Sequence, residues 1–249
     1  MVIKIVRMIR KKSQVFMARR YKDVYLPIHR SNEHLTVDDD YVNSAFQQIS
    51  ALKQYSSLSQ KTNVLDFGCG QGRLATGLLL CCPDLGNYTG IDTDLDAIKW
   101  CKRWIQKFHT KYSFIHVAAH NALYNPTAIH RPNLPISENS FDVIFLNSVF
   151  SHMLSDDVYF YLNQLNQGLK QEGIIYLTAF IEEDVPEVME NPPGYLNKVS
   201  TLPLHRVRYN KKLFLDLMTK SGYKIIEFKH QSILRTKQSV LIAKKNLDL

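Results

Sequence analysis

Seven residues, Asp66-Phe67-Gly68-Cys69-Gly70-Gln71-Gly72, constrain this chain more than any other stretch. They follow the apolar pair Val64-Leu65 and lead into Leu74-Ala75-Thr76-Gly77-Leu78-Leu79-Leu80, so a buried strand must turn on glycines into a helix. Alternate glycines leave no Cβ atoms between backbone and ligand and permit positive φ, while the helix that follows offers unpaired N–H groups and a partial positive charge. The spacing is G-x-G-x-G, not the G-x-G-x-x-G of dinucleotide folds, and the carboxylate of Asp66 stands two residues before the first glycine, where it repels a pyrophosphate. The ligand that suits this loop carries its own ammonium and carboxylate and no phosphate.

The second half of the unit is consistent with a nucleoside. Tyr88-Thr89-Gly90-Ile91 reads as a short strand ending in Asp92, an acid placed to accept both ribose hydroxyls. Asp94 or Thr93 then starts a helix whose apolar positions Leu95, Ile98, Cys101 and Ile105 recur at helical spacing, with Trp100 and Trp104 beside them as core rather than as an aromatic cage.

From about Tyr41 to Lys245 these residues resemble class I S-adenosylmethionine (SAM)-dependent methyltransferases of the bacterial small-molecule type. The glycine loop is similar to that family's first motif. Phe141-Asp142-Val143-Ile144-Phe145-Leu146-Asn147 resembles its fourth strand, Ser148-Val149-Phe150-Ser151-His152-Met153 the continuation, and Gly173-Ile174-Ile175-Tyr176-Leu177-Thr178 the strand after the next helix. The resemblance implies a three-layer α/β, Rossmann-like fold of about seven strands in the order 3-2-1-4-5-7-6, one antiparallel, with helices on both faces. It implies SAM as cofactor and S-adenosylhomocysteine as product. Gly68, Gly70 and Gly72, with Cys69 between them, would approach the methionine part; Asp66 would order the loop and the ammonium, and Asp92 would bind the ribose. Where related sequences place an acid after the third strand to hold the adenine amine, this chain has Ala118 and Ala119, and Asn121 is the nearest substitute. Thr93, Ala122 and Asn147 complete the expected cofactor set. Arg73, in the first turn of the helix after the loop, is unfavourable for the helix dipole unless partnered, so it is expected to meet an acid or the ligand's carboxylate.

At 249 residues and 45% hydrophobic the chain can bury one sizeable core. No apolar run approaches the roughly 18 residues needed to cross a bilayer. Cys69, Cys81, Cys82 and Cys101 show no metal-ligand spacing and read as reduced thiols of a cytoplasmic protein, so no metal is expected. The net charge of +8 is local: eight cations, from Lys4 to Lys22, precede the first acid, Asp23, and the remaining 23 cations balance the 23 acids. The body is therefore neutral, which argues against a nucleic-acid substrate. The basic arm interleaves Ile3, Ile5, Val6, Ile9, Val15, Phe16 and Met17 with its charges, and residues 1–22 are a candidate for peripheral contact with an anionic membrane.

Residues 1–35 read as this arm and a linker containing Pro27, and residues 36–249 as the methyltransferase domain. Thr36 with Asp39 suggests a capping box before the stripe Val42, Ala45, Phe46, Ile49 and Leu52. Prolines concentrate near 121–140 and 180–209, two long stretches leaving the carboxyl edge of the sheet that are expected to wall the substrate. A helix is expected over Tyr209 to Lys220.

Methyl transfer is an in-line displacement, for which positioning supplies most of the acceleration and an O or N acceptor can use a base near neutral pKa. His152 and His205 are the candidate bases; Tyr209, Tyr124 and Glu182 are weaker alternatives. Arg206 and Arg208 suit an acidic substrate group. Tyr161 joins Val158, Leu162 and Leu165 in a stripe that packs on the sheet. The expected activity is methylation of a small molecule (a natural product, a peptide end or a sugar). RNA methylation through the basic arm and non-catalytic SAM binding are the alternatives, and the sequence sets no oligomeric state.

Overall fold

The computed structural model describes residues 16–30, 35–120, 125, 128, 131–197, 200 and 202–247. In chain order its elements are β1 (Ala18–Tyr21), β2 (Val24–Pro27), α1 (Asp38–Lys53), β3 (Asn63–Phe67), α2 (Arg73–Cys81), β4 (Asn87–Asp92), α3 (Leu95–Cys101), β5 (Tyr112–His116), β6 (Phe141–Asn147), α4 (Ser155–Gly168), β7 (Leu169–Glu182), β8 (Val188–Glu190), β9 (Val207–Asn210), α5 (Lys211–Lys220), β10 (Tyr223–Ile233) and β11 (Gln238–Lys245). By packing they form two units. The first holds the chain up to Thr62 together with Cys69–His116, and the second holds Asn63–Gly68 and the chain from Val117 onward.

In the first unit β4 and β5 pair in parallel, from Tyr88 opposite Tyr112 to Asp92 opposite His116. Helix α1 opens on Asp38, Asp39 and Asp40, whose charges suit the positive end of a helix. The capping box expected at Thr36 does not form, because Val37 takes the N-cap position and contributes no side-chain bond. Asp38 is instead held by Arg30 and, at 3.0 Å, by Arg19. Ala45, Ile49 and Leu52 are buried on α1, and Gly77 lets α2 approach closely: a Cβ there would lie 3.0 Å from the Ala45 carbonyl oxygen. Asp94 caps α3 through bonds of 2.9 and 3.1 Å from the N–H groups of Asp96 and Ala97, and the helix continues into a π-helical turn over Lys102–Gln106.

Part of the stretch read as arm and linker is folded. β1 and β2 make an antiparallel hairpin, and Val24 and Leu26 are buried in one cluster with Leu35, Tyr41 and Val42. Four-residue strands carry too little periodicity to stand out among cations. Residues 1–15 of the expected arm lie outside the described residues.

In the second unit the main path of the sheet runs in the order β10-β11-β7-β6-β3. Strands β3, β6 and β7 run parallel, and β11 is antiparallel to both of its neighbours. Within each unit this is the expected order, 3-2 in the first and 1-4-5-7-6 in the second, and the fold is the Rossmann-like α/β fold with flanking helices. Val143, Ile144, Phe145 and Leu146 are all buried, as parallel strands covered on both faces require. Val158, Leu162 and Leu165 of α4 are fully buried, and α4 contacts β7 and α5. The stretch 180–209 is more regular than a wall of loops: β9 extends β7 in parallel, with Phe180 opposite Arg208, and β8 pairs β9. Buried Val207 and Tyr209 alternate with half-buried Arg208 and Asn210, a strand period that delays the start of the helix expected from Tyr209, which still ends at Lys220. α5 begins at Lys211, capped by Asn210 Oδ1 at 2.9 Å from the Lys212 N–H. Among the described residues no helix is long and apolar enough to cross a membrane.

Candidate active site

The glycine turn uses its three glycines for different reasons. Gly68, Gly70 and Gly72 have φ of +84°, +50° and +72°, a region closed to most side chains. At Gly72 a Cβ would lie 2.7 Å from Ile105 Cδ1, so that glycine serves packing; it also caps α2, and its carbonyl accepts from the Thr76 N–H (2.9 Å) and Oγ1 (3.0 Å). At Gly70 a Cβ would meet nothing within 4 Å. That is the open side of the first unit's turn, the cradle that a ligand lying against the backbone needs.

Asp92, at the end of β4, holds this cradle. Its Oδ2 accepts the Gly70 N–H at 2.6 Å and its Oδ1 the Asp94 N–H at 2.8 Å. Burial raises its pKa, and the backbone donors only partly offset that. An acid raised in the folded state contributes stability below its unfolded pKa and loses it as pH rises, so the ionised carboxylate costs stability at neutral pH. The two oxygens have lone pairs beyond their backbone bonds, and a desolvated carboxylate is a strong acceptor for two vicinal hydroxyls. These residues fit the nucleoside of SAM.

The turn is braced from beneath. Cys69 is buried, its N–H bonded to the Ile91 carbonyl at 3.1 Å, and a Cβ on Gly90 would strike Cys69 Sγ at 2.9 Å. The Tyr41 hydroxyl of α1 donates to the Gln71 carbonyl at 3.3 Å, and burial raises its pKa strongly, keeping it a donor. Nothing in the sequence marked Tyr41 for this part. Arg73 donates to Ser44 Oγ at 3.3 Å and faces the Gln48 amide oxygen in the orientation that satisfies both groups. The Thr93 carbonyl contacts His116 Nε2 at 3.1 Å.

In the second unit Asp66 is buried on β3, opposite Phe145 of β6. A Cβ on Gly68 would lie 2.3 Å from Val149 Cγ2, so this glycine admits Val149 and not a ligand. The contact ties the turn after β3 to the turn after β6. There Asn147, half-buried at the end of β6, pairs with Thr178, and Ser148 adopts φ +64°. A network holds that serine in place. Its N–H donates to Thr178 Oγ1 at 2.8 Å, its Oγ bonds Ser151 Oγ at 2.9 Å and Gln238 Nε2 at 2.7 Å, and Thr178 Oγ1 donates to Gln238 Oε1 at 2.8 Å. Ser151, Thr178 and Gln238 are buried.

His152 closes the same turn and lines a cavity of about 230 Å³ with His120, Arg131, Met153, Asp157, Tyr161 and Leu204. Its Nδ1 donates to the Leu204 carbonyl at 3.1 Å, which fixes the tautomer and makes Nε2 the acceptor. Burial lowers its pKa below the ordinary value, and nearby His205 and Arg206 add to that. His152 is therefore neutral at pH 7, the state a base requires. His205 stands against it through the adjoining backbone, so the two candidate histidines come together, with His152 facing the cavity. Tyr161 takes the expected core role and also borders the cavity; its buried hydroxyl has no hydrogen-bond partner among the described residues, and burial pushes its pKa up to about 12. Arg131 pairs with Asp157 at 2.7 Å.

The weaker candidates have other duties. Tyr209 is buried and donates to the Met153 carbonyl, so it braces the turn and is not a base. Arg208 pairs with Glu182 at 3.5 Å and lies over the Tyr195 ring at 5.1 Å, while Tyr195 donates to Glu182. That arginine is committed to an internal cluster, not to an acidic substrate. Arg206 donates to Ser200 Oγ at 2.6 Å. Asn121, Ala122 and Tyr124 lie outside the described residues.

Residues 65–177 match a family model described as a methyltransferase domain. The chain is similar in structure to a SAM-dependent methyltransferase from Methanosarcina mazei, at 17% identity and TM-score 0.56, covering 80% of this chain and 98% of that one. It is also similar to a putative O-methyltransferase from Nostoc punctiforme (19% identity, TM-score 0.58, 86% and 62% covered). A third is the Burkholderia thailandensis 1,6-didemethyltoxoflavin-N1-methyltransferase, solved with 1,6-didemethyltoxoflavin and S-adenosylhomocysteine (16% identity, TM-score 0.52, 84% and 80% covered). At these identities the likeness is one of fold.

Proposed function

We propose that the chain is a class I methyltransferase that uses SAM and that it methylates an oxygen or nitrogen of a small molecule held in the cavity beside His152. The carrying observation is that cavity. About 230 Å³ is small against the roughly 300–1,000 Å³ of drug-sized sites, and its wall of two histidines, a tyrosine and an Arg–Asp pair suits a compact polar acceptor rather than a polymer.

SAM supplies a methyl group on a sulfonium, and transfer leaves S-adenosylhomocysteine. In this reading Asp92 and Gly70 hold the nucleoside side, and Asp66 orders the loop for the methionine ammonium. His152 Nε2 takes the acceptor's proton while the Leu204 carbonyl stabilises the resulting imidazolium through Nδ1–H. Incubation with methyl-labelled SAM and a metabolite extract, followed by mass spectrometry, should place label on a low-mass product. His152→Gln should lower its kcat by about 10²-fold or more with SAM affinity retained. Label found only in polynucleotide, or full turnover by the variant, would refute the reading.

A further inference from the structure

The solvent face of α3 and its π-helical extension carries Lys99, Lys102, Arg103 and Lys107, all exposed. Their spacing puts them on one side of the helix, with like charges at i, i+3 and i, i+4 that weaken an isolated helix. Among the described residues none of the four has an ion-pair partner, and the same holds for exposed Arg20 and Lys22 on the β1–β2 hairpin.

Hairpin and helix are locked together. The Trp100 and Trp104 indole N–H groups donate to the carbonyls of Met17 (3.2 Å) and Phe16 (2.8 Å), and Tyr25 packs on the rings of Trp104 and Phe108 at 4.8 and 5.3 Å. Met17 and Phe108 remain half-exposed beside the cations, at 48% and 51%. The anchored segment at Phe16 continues the sequence of residues 1–15, which adds five cations and no acid, interleaved with Val2, Ile3, Ile5, Val6, Met8, Ile9 and Val15.

We propose that this face, formed by the α3 cations and the hairpin, docks the enzyme on an anionic lipid bilayer. Charge alone suits any polyanion, but aliphatic side chains between the cations are what an acyl interface takes up, whereas single-stranded RNA is held by exposed stacking rings. Here both tryptophans are spent on the internal joint, Trp100 fully buried and Trp104 partly so, and the half-exposed Phe108 ring is stacked on Tyr25.

The test is co-sedimentation of the full chain with vesicles of phosphatidylcholine alone and of phosphatidylcholine with about a third phosphatidylserine. Binding is expected only to the anionic vesicles, falling as salt is raised. Each cation near such a surface strengthens binding about 5-fold, so Lys102→Glu with Arg103→Glu should weaken it by about 25-fold or more. The same variant should bind S-adenosylhomocysteine as the parent does, which separates loss of the surface from loss of the fold. Equal binding to both vesicles, no binding, an unchanged double variant, or displacement from anionic vesicles by a short RNA at equal charge concentration would each overturn the proposal.

Discussion

Two turns at the carboxyl ends of adjacent parallel strands, one after β3 and one after β6, solve the same backbone problem by different means. After β3 the chain enters the left-handed region at Gly68, where a missing Cβ makes the conformation inexpensive. After β6 it enters that region at Ser148, and a side chain with a Cβ must be held there by hydrogen bonds to Thr178, Ser151 and Gln238. The first device is local and written in three letters. The second is tertiary, drawing on residues 30 and 90 positions away in sequence.

The largest effects should separate the glycines from one another. Gly70→Val fills the open cradle, so S-adenosylhomocysteine affinity by calorimetry should fall by about 100-fold or more, or about 3 kcal/mol, while unfolding free energy drops only by the roughly 1–2 kcal/mol that positive φ costs a side chain. Gly68→Ala should invert that pattern. Its Cβ collides with Val149, so stability should fall by more than the backbone term alone, and Val149→Ala in the same chain should restore part of it. Equal losses of binding and stability in both single variants would erase the distinction.

A smaller effect belongs to the turn after β6. Thr178→Val removes the acceptor of the Ser148 N–H and the donor to Gln238, leaving two buried groups unpaired, and should cost about 2–4 kcal/mol in denaturant unfolding. Smaller again is the contrast at Ser148. Ser148→Ala loses both Oγ bonds and keeps the strained φ, whereas Ser148→Gly loses the bonds but relieves the strain, so the glycine variant should be the more stable by about 1 kcal/mol. A more stable alanine variant would mean that the network, and not the backbone, sets the energy of this turn.

The same contrast explains what could be read beforehand. The loop from Asp66 to Gly72, Asp92 at the end of β4, and the Asp94 cap were legible because each rests on residue type at short spacing. His152 and His205 were legible as candidates, but their juxtaposition across Leu204 was not, since 52 positions separate Nδ1 from the carbonyl that orients it. Tyr161 was read as core because Val158, Leu162 and Leu165 share its stripe, and it is core; what periodicity cannot show is that its buried hydroxyl lacks a partner among the described residues. The β1–β2 hairpin and strands β8 and β9 were missed because three- and four-residue strands take their stability from what they pack on, which no local pattern records.

The smallest expected effect is a displacement along the pH axis. In a solvated loop a histidine titrates near 6.5, but burial lowers the pKa of His152, and the Leu204 carbonyl, which favours the charged ring, only partly opposes this. A base lowered in the folded state contributes stability that is present above the unfolded pKa and lost as pH falls through the folded one. If the neutral ring accepts the acceptor's proton, the acid limb of kcat/KM belongs to the free enzyme's His152 and should lie below 6.5, with the plateau reaching into mildly acidic buffer. Mutating the carbonyl's neighbour leaves the bond in place, so the discriminating variant is His152→Gln: residual activity should lose that limb and become flat across the same range. A limb that persists unchanged in the glutamine variant would assign it to another group, and the turn after β6 would then position the acceptor without taking its proton.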